Sequence, residues 1–502
     1  MGTSTDAYDP SVRFADTSPA SWGGKIVGLN IAYVNHTINL QKGNCMDWTP
    51  TIQDQSGPLY ESIVEALSRD IAAGRLHRGQ RLPTHRALAT ALGVDLTTVT
   101  RAYNEARRRG LTEARVGQGT FVAESRLRVA RAPAGIDFDL SMNLPPEPIE
   151  ADLDGRIARG LSELRREHGF SDFLSYHHAG GSENDRGTAA DWLRRRVRGA
   201  AADRLIVSPG TQSALMALLL ALTRPGDTVL TDRLTYPGFK AAAAALGVRL
   251  AGIEADRDGM IPEALEAACR RHAPKAVYLI PTIHNPTTLT IPLSRREQLA
   301  AMIRRHDLAL VEDDAYGSLD PRQQPIATLI PERSYLAASL AKCIAPGLRV
   351  AFVLMPDRAA AAAVTHALRT VSQMPVPLTV ALVMRWLADG SADSIVAAIA
   401  AEAAARQKLA AKALSGQSYA AHPKGHHVWL ALPPTWTRAE FAAHVQRQGL
   451  AVVTSDSFAV DGNPEHAIRV ALGAARSRAD LSAALDLLTT ALKSPAYAQR
   501  IV

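Results

Sequence analysis

Cysteine is scarce in this chain. Only Cys45, Cys269 and Cys343 occur among 502 residues, and they lie far apart. That spacing excludes a disulfide framework and a cysteine-built zinc site, and no metal is expected. It fits a reducing cytoplasm. Long apolar runs are missing too, so no stretch can span a bilayer as a helix. The N-terminus has no basic segment followed by an apolar one, so no secretory signal is read there. Lysine is absent from one region altogether. Between Gln55 and Arg131 stand 13 arginines, no lysine and 7 acidic residues, so this region holds nearly all of the chain's net charge of +7. A hydrophobic share of 47% with 21% charged residues is a globular balance. The length is enough for two or more domains.

The first 45 residues mix Gly, Ser, Thr, Asn and Asp without periodicity, and 1–57 reads as an unordered extension. From Pro58 the pattern changes. Ile63, Leu67 and Ile71 recur every four residues, which predicts a helix stopped by Gly74. Thr84 can cap a short helix to Leu92, and Asp95 can cap a third, from Leu96 to Arg109, ended by Gly110. Two helices joined at Gly93 by a tight turn form a helix-turn-helix, with Thr97, Thr98 and Arg101 near the start of the second. Two short strands then flank Gly117-Gln118-Gly119, a hairpin whose backbone can approach DNA closely. A solvated basic face competes with nucleic-acid binding for this arginine-rich region.

This stretch, 58–123, closely resembles the GntR-type winged helix-turn-helix. The matching pieces are P-L-Y, the G-x-x-x-G-x-x-L-P-x-x-R run from Gly74 to Arg86, T-T-V-x-R-A-Y and G-x-G-T-F-V. The resemblance implies DNA contacts from Arg86, Thr97, Thr98, Arg101, Gln118, Gly119 and Thr120. For Arg86 the competing role is a surface ion pair, and for the threonines it is capping. Asp95 and Leu96 stand where the family often carries a small polar residue and an arginine.

Residues 124–136 are rich in Arg and Ala and broken by Pro133 and Gly135, so they read as a linker. Beyond them, 137–495, strand-like runs such as A-V-Y-L-I and L-A-L-V-E alternate with alanine-rich helical runs. That alternation predicts a mostly parallel sheet covered by helices, with ligands at the strand ends.

One stretch in this region carries chemistry: S-L-A-K over Ser339–Lys342, followed by Arg349. A lysine among small apolar neighbours is poorly solvated, which favours the neutral nucleophilic amine and a Schiff base with an aldehyde. Ser339 and Arg349 suit a phosphate. An aldehyde carrying a phosphate suggests pyridoxal 5'-phosphate. Other signals support the same ligand. Gly210-Thr211-Gln212 opens a helix and can cradle a phosphate. Tyr236 could stack on a flat ring. Asn285 can donate to a phenolate oxygen. Asp313 suits a pyridine nitrogen, and Tyr316 follows three residues on. Each signal alone has a plainer reading: a helix cap, a core tyrosine, a solvated turn.

The order of these motifs resembles the fold-type I aminotransferases across nearly all of 137–495. The resemblance implies that Lys342 holds pyridoxal phosphate, with Asp313 at the ring nitrogen and Asn285 and Tyr316 at its phenolic oxygen. Thr211, Gln212, Ser339 and Arg349 would take the phosphate, joined by Tyr176 from a neighbouring subunit, which implies a dimer with shared sites. Arg469, in H-A-I-R-V-A-L, matches the arginine that grips a substrate carboxylate. Departures are Thr288 in N-P-T-T where glycine is common, Ala337-Ala338 before the lysine motif, and Ala341.

A small α+β winged helix-turn-helix joined to a large α/β aminotransferase-like domain is the architecture of the MocR subfamily of bacterial transcription regulators. Met46, which begins M-D-W-T-P, resembles the natural start of such a protein, so 1–45 is expected to come from an over-extended start. The implied function is a cytoplasmic, head-to-tail dimeric regulator that binds an operator and senses an amino compound. An active aminotransferase carrying a DNA-binding domain is the alternative.

Overall fold

Ile63 and Leu67 stand one turn apart on helix α1 (Leu59–Ala72), and both are buried. That stripe is what anchors the first unit of the fold. The structure, a computed structural model, describes residues 48–51, 58–72, 75–77, 79–115, 119–123, 135–462 and 464–494. The chain divides into two compact units, Met1–Arg126 and Leu127–Val502.

In the first unit, Thr84 caps α2 (His85–Leu92), its hydroxyl accepting from the Ala87 amide at 3.2 Å, and Gly93 ends it at φ +63°. Asp95 caps α3 (Leu96–Arg108), accepting from the Thr97 amide at 2.7 Å. Such caps contribute about 1 kcal/mol each. Strands β1 (Thr112–Arg115) and β2 (Gly119–Val122) pair antiparallel as the wing. The Leu82 amide donates to the Thr120 carbonyl at 2.9 Å, which ties the wing to the chain before α2. Leu88, Val99, Tyr103 and Val122 close the core against α1. Trp48 departs from the expected extension. Its ring packs on this core and its Nε1 donates to Asp70 Oδ2 at 2.7 Å, because a half-buried indole N–H needs an acceptor. Residues 1–47, Gln118 and 124–134 of the linker lie outside the described residues.

The second unit opens with β3 (Phe138–Asp139). Helix α4 (Glu183–Leu193) precedes β4 (Leu205–Ser208), α5 (Thr211–Leu222), β5 (Thr228–Asp232), α6 (Pro237–Ala245), β6 (Arg249–Ile253), β7 (Ala276–Leu279), β8 (Ala309–Asp314), β9 (Ser334–Ser339) and β10 (Ala351–Leu354). These seven strands form one sheet in the order β4-β10-β9-β8-β7-β5-β6. Only β10 runs antiparallel to its neighbours. Alternate residues feed two cores. Val207 and Phe352 face one, while Ile206 and Val353 face the other. Helices therefore cover both faces, as continuous apolar strands require.

A second, antiparallel sheet follows in the order β11-β12-β15-β14: β11 (Tyr419–Ala421), β12 (His427–Ala431), β14 (Val453–Thr454) and β15 (Ala467–Ala471). The short β13 (Leu450–Ala451) pairs with β3. Leu140, just past β3, is buried in the core of this second sheet. Among the described residues no helix is long and apolar enough to cross a membrane.

Candidate functional site

Parallel strands deliver their C-terminal ends to one side of a sheet. Here β8 ends on Asp313 and Asp314, and β9, paired beside it with Asp313 opposite Ala337, ends on Ser339. The chain then turns through 341–344, which sets Lys342 next to Asp313. The lysine is half-buried, and its Nζ donates to the Asn143 backbone carbonyl. Burial, together with the Arg469 charge, pulls its amine down to about 8, while Asp313 acts the other way.

Asp313 is buried. Its Oδ2 accepts from the Tyr278 hydroxyl at 2.8 Å, and its Oδ1 is buried with no partner among the described residues. Burial pushes its carboxyl up to about 6, against the Tyr278 hydrogen bond and with help from Asp314. Asp314 itself is bound by Arg196. Tyr278 is fixed by a stacked contact with Phe239, ring centroids 3.7 Å apart.

At the other end stands α5. Gly210, at φ +89° and ψ 167°, precedes it. A Cβ there would lie 2.6 Å from Arg349 Nη2, so the guanidinium would have to shift, and the positive φ itself favours glycine. Arg349 sits at φ +53° and donates to the Pro209 carbonyl at 3.2 Å. Thr211 Oγ1 and Gln212 Oε1 are buried without partners among the described residues, and Gln212 Nε2 donates to the Gly238 carbonyl at 2.8 Å. The Ser339 hydroxyl accepts from the Ala341 amide at 3.1 Å.

Arg469, on β15, donates from Nη1 to Asn285 Oδ1 at 2.9 Å and from Nη2 to the Ser141 carbonyl at 2.6 Å. Its Nε has no hydrogen-bond partner among the described residues, and its guanidinium lies 5.0 Å from the Phe458 ring centre. Burial lowers its pKa. The buried Tyr316 hydroxyl accepts from Asn143 Nδ2 at 2.6 Å, and burial raises its pKa. Tyr236, half-buried at the start of α6, feels the charges of Asp313, Arg349 and Arg469. Thr288 adopts φ +64°, a conformation that glycine reaches more easily than threonine.

Several residues of this cluster are not signalled by any motif. Asn143 touches Lys342 through its carbonyl, and through its amide both Tyr316 and His427 Nδ1, the latter at 3.1 Å. His427 donates from Nε2 to the His284 carbonyl at 3.3 Å, and His426 from Nε2 to the Lys342 carbonyl at 2.7 Å. Burial takes His426 down to about 4 and His427 well below its usual value, so both are neutral braces. The one sequence hint was G-H-H-V-W-L, a histidine pair opening a strand.

Tyr176 is not part of the cluster within this chain: it is 83% exposed on the surface. In the first unit, Arg86 and Arg101 are exposed, and the Arg101 guanidinium lies 4.1 Å from the Tyr60 ring centre. The Thr97 side chain bonds the capping Asp95. Thr98 and Thr120 are half-buried. Gly119 is exposed at φ +110°, where an added Cβ would stand 3.2 Å from Arg81 Nε.

Two family models match. Residues 59–122 fit the bacterial regulatory proteins of the gntR family, and 140–488 fit aminotransferase class I and II. The uncharacterized HTH-type transcriptional regulator YdeF of Bacillus subtilis is 30% identical over 458 residues, covering 90% of this chain and 98% of that one. The probable rhizopine catabolism regulatory protein MocR of Rhizobium meliloti is 27% identical over 336 residues, 61% of this chain and 67% of its own. The chain belongs to the MocR-type GntR regulators.

The large unit of the regulator also matches the crystal structure of LysN, an α-aminoadipate aminotransferase of Thermus thermophilus complexed with N-(5'-phosphopyridoxyl)-L-leucine. The TM-score is 0.65 at 25% identity, covering 72% of this chain and 92% of that one. The regulator's cofactor is pyridoxal phosphate. Its own atoms fit that group. The unpartnered Thr211 Oγ1 and Gln212 Oε1 stand at the glycine cradle, and the unpartnered Asp313 Oδ1 stands beside a depressed lysine.

Proposed function

We propose that the regulator senses a carboxylate-bearing amino compound at the Lys342 cluster and converts its binding into a change in operator affinity. One observation carries this reading. The two cations that such a ligand would address, Lys342 and Arg469, are both held by the same short segment, through the carbonyls of Asn143 and Ser141. A ligand carboxylate that claims Arg469 competes with Ser141, and chemistry at Lys342 Nζ competes with Asn143. Both events act on residues that follow the linker in sequence, and sensing would require that these contacts differ between two states of the chain.

Each residue has a role that its surroundings support. Thr211, Gln212, Ser339 and Arg349 would hold the cofactor phosphate. Asp313 would hold a proton on the ring nitrogen, and Asn285 and Tyr316 would hydrogen-bond the phenolic oxygen. Tyr236 would cover the ring. Bound pyridoxal phosphate supplies an aldehyde for amines and an electron sink beside it. Lys342, with its amine near 8, can both attack as a free base and return a proton at neutral pH. Arg469 would orient the ligand carboxylate as a fork.

Exposed Tyr176 and its neighbour Leu174, 85% exposed, suit burial against a second copy of this chain, in a head-to-tail dimer with shared sites. Arg86, Thr97, Thr98, Arg101, Gly119, Thr120 and Gln118 would meet the operator. A DNA-bound role goes with a cytoplasmic protein.

The same lysine also supports turnover, because transamination needs a proton shuttle at that position. Absorbance spectra separate the two readings. The purified protein with pyridoxal phosphate is titrated with amino acids and amines, with Lys342→Ala as control. A visible band that shifts with one ligand and then holds supports sensing. Steady conversion to the amine form of the cofactor, reversed by a keto acid, makes the protein an aminotransferase. Identical spectra for wild type and Lys342→Ala would sink both.

A further inference from the structure

Between α4 and β4 the chain reads R-R-R-V-R-G over 194–199. Three of these arginines, Arg195, Arg196 and Arg198, line one cavity of about 530 Å³ together with Arg204, Thr328 and Ser334. Among the described residues no carboxylate lines it. The charges are only partly balanced from outside. Arg195 pairs with Asp393, and Arg196 with Asp314. Arg204 spends its N–H groups on the carbonyls of Gly199, Met355 and Pro356. Arg198 is exposed and makes no ion pair or hydrogen bond among the described residues. Two of the four cations therefore face the cavity without a counter-charge.

A second observation points the same way. The Arg196 side chain is only 9% exposed, yet its Nε is buried with no acceptor among the described residues. On a convex surface such arginines would be hydrated one by one. In a concave space their fields add and concentrate an anion. Guanidinium forks match the oxygens of phosphate. The volume is in the range of small-molecule sites.

We propose that this cavity binds a small ligand carrying a phosphate or pyrophosphate group, at a place separate from the cofactor cluster. The two places are connected through one ion pair. Arg196 holds Asp314, and Asp314 adjoins Asp313 at the end of β8. An anion that draws on Arg196 loosens its hold on Asp314, so occupancy of the cavity reaches the carboxylate beside Lys342.

The test uses the full-length protein loaded with pyridoxal phosphate and then desalted, so that the cofactor's own phosphate seat is filled and no free phosphate ester competes for the cavity. The visible absorbance reports that loading independently. Inorganic pyrophosphate is titrated by calorimetry at low and moderate salt. The expected result is one site per chain, weakened by salt and at least about ten-fold by Arg198→Glu, since charge reversal turns attraction into repulsion. Arg195→Glu weakens it too, while Arg86→Ala in the first unit leaves it unchanged. Unchanged melting temperatures confirm that the variants are folded. Absence of binding heat overturns the proposal. So does equal binding by wild type, Arg198→Glu and Arg195→Glu, or loss of binding on Arg86→Ala.

Discussion

The Lys342 amine titrates near 8 in the cofactor-free protein rather than at its ordinary 10.5. Burial is the main cause, and the Arg469 charge adds to it. At pH 7 this leaves about 9% of the amine neutral, against about 0.03% for an ordinary lysine, a gain of roughly 300-fold in the reactive form. Competitive acylation, read by mass spectrometry on the Lys342 peptide between pH 6 and 11, measures it, with the exposed Lys412 as the reagent standard. Two variants test the cause as well as the value. Arg469→Gln removes the repelling charge while keeping an amide donor for Asn285, so the midpoint rises. Asp313→Asn removes the attracting charge, so the midpoint falls. A wild-type midpoint above about 10, or two variants shifting in the same direction, would refute the electrostatic account.

Gly210→Ala forces a side chain into a backbone conformation that glycine alone adopts easily, and it drives a Cβ to 2.6 Å from Arg349 Nη2. A cost of about 1–3 kcal/mol follows, and because Arg349 must move, pyridoxal phosphate affinity falls by at least about ten-fold, as read by fluorescence titration. Half-buried Asp232 and buried His284 stand 3.6 Å apart, with desolvation raising the acid to about 7 and lowering the histidine to about 4, so both are neutral near pH 5–6. Because the folded state holds the Asp232 proton more tightly than the unfolded chain does, this acid's contribution to stability is lost as pH rises from about 4 to about 7. Asp232→Asn should therefore gain stability relative to wild type across that range, by a few kcal/mol in denaturant melts. A relative loss would mean that the pair is ionised instead. Arg86→Ala and Arg101→Ala should each lower the salt slope of binding to the protein's own upstream DNA by about 1, and unchanged slopes would remove both from the operator contact.

The fold was legible because its signals are local. Thr84, Gly93, Asp95 and Gly110 bracket the two helices of the turn motif by capping chemistry that needs no tertiary information. The buried strands of the large sheet announce themselves as continuous apolar runs. The catalytic-looking residues were legible for a related reason. Asp313, Lys342 and Arg349 sit where strands end, so each comes with a recognisable flank. Trp48 was misread because composition describes a segment on average, and one indole with a carboxylate to bond can order its neighbourhood. Tyr176 is a different case. A residue whose implied role lies in another subunit has no partner within its own chain, and its exposure is all that one chain can display.

Asn143 illustrates the limit most clearly. Its partners lie 173, 199 and 284 residues away, at Tyr316, Lys342 and His427. No spacing rule reaches that far, and S-M-N-L-P-P looks like a loop. Its position follows from packing instead. Leu140 is buried in the core of the second sheet, and the Gly473 Cα lies so close to the Leu144 carbonyl that a Cβ would approach it to 1.9 Å. The segment between those two anchors must cross the mouth of the cluster, and its carbonyls fall on the two cations there. Gly473→Ala therefore acts on the site through backbone alone, at the Leu144 carbonyl and at the His426 carbonyl that the Gly473 amide reaches at 3.1 Å. Backbone presses on backbone, residues 141–144 shift, and the Lys342 titration midpoint moves while the melting temperature falls by the few degrees that about 1–3 kcal/mol of overpacking implies. A variant that melts early but keeps the wild-type midpoint would show that the segment is mere packing. A moved midpoint would mean that strain imposed at Gly473 is felt at Lys342, the reverse of the path by which a ligand at Lys342 would pull on the chain leading to the linker.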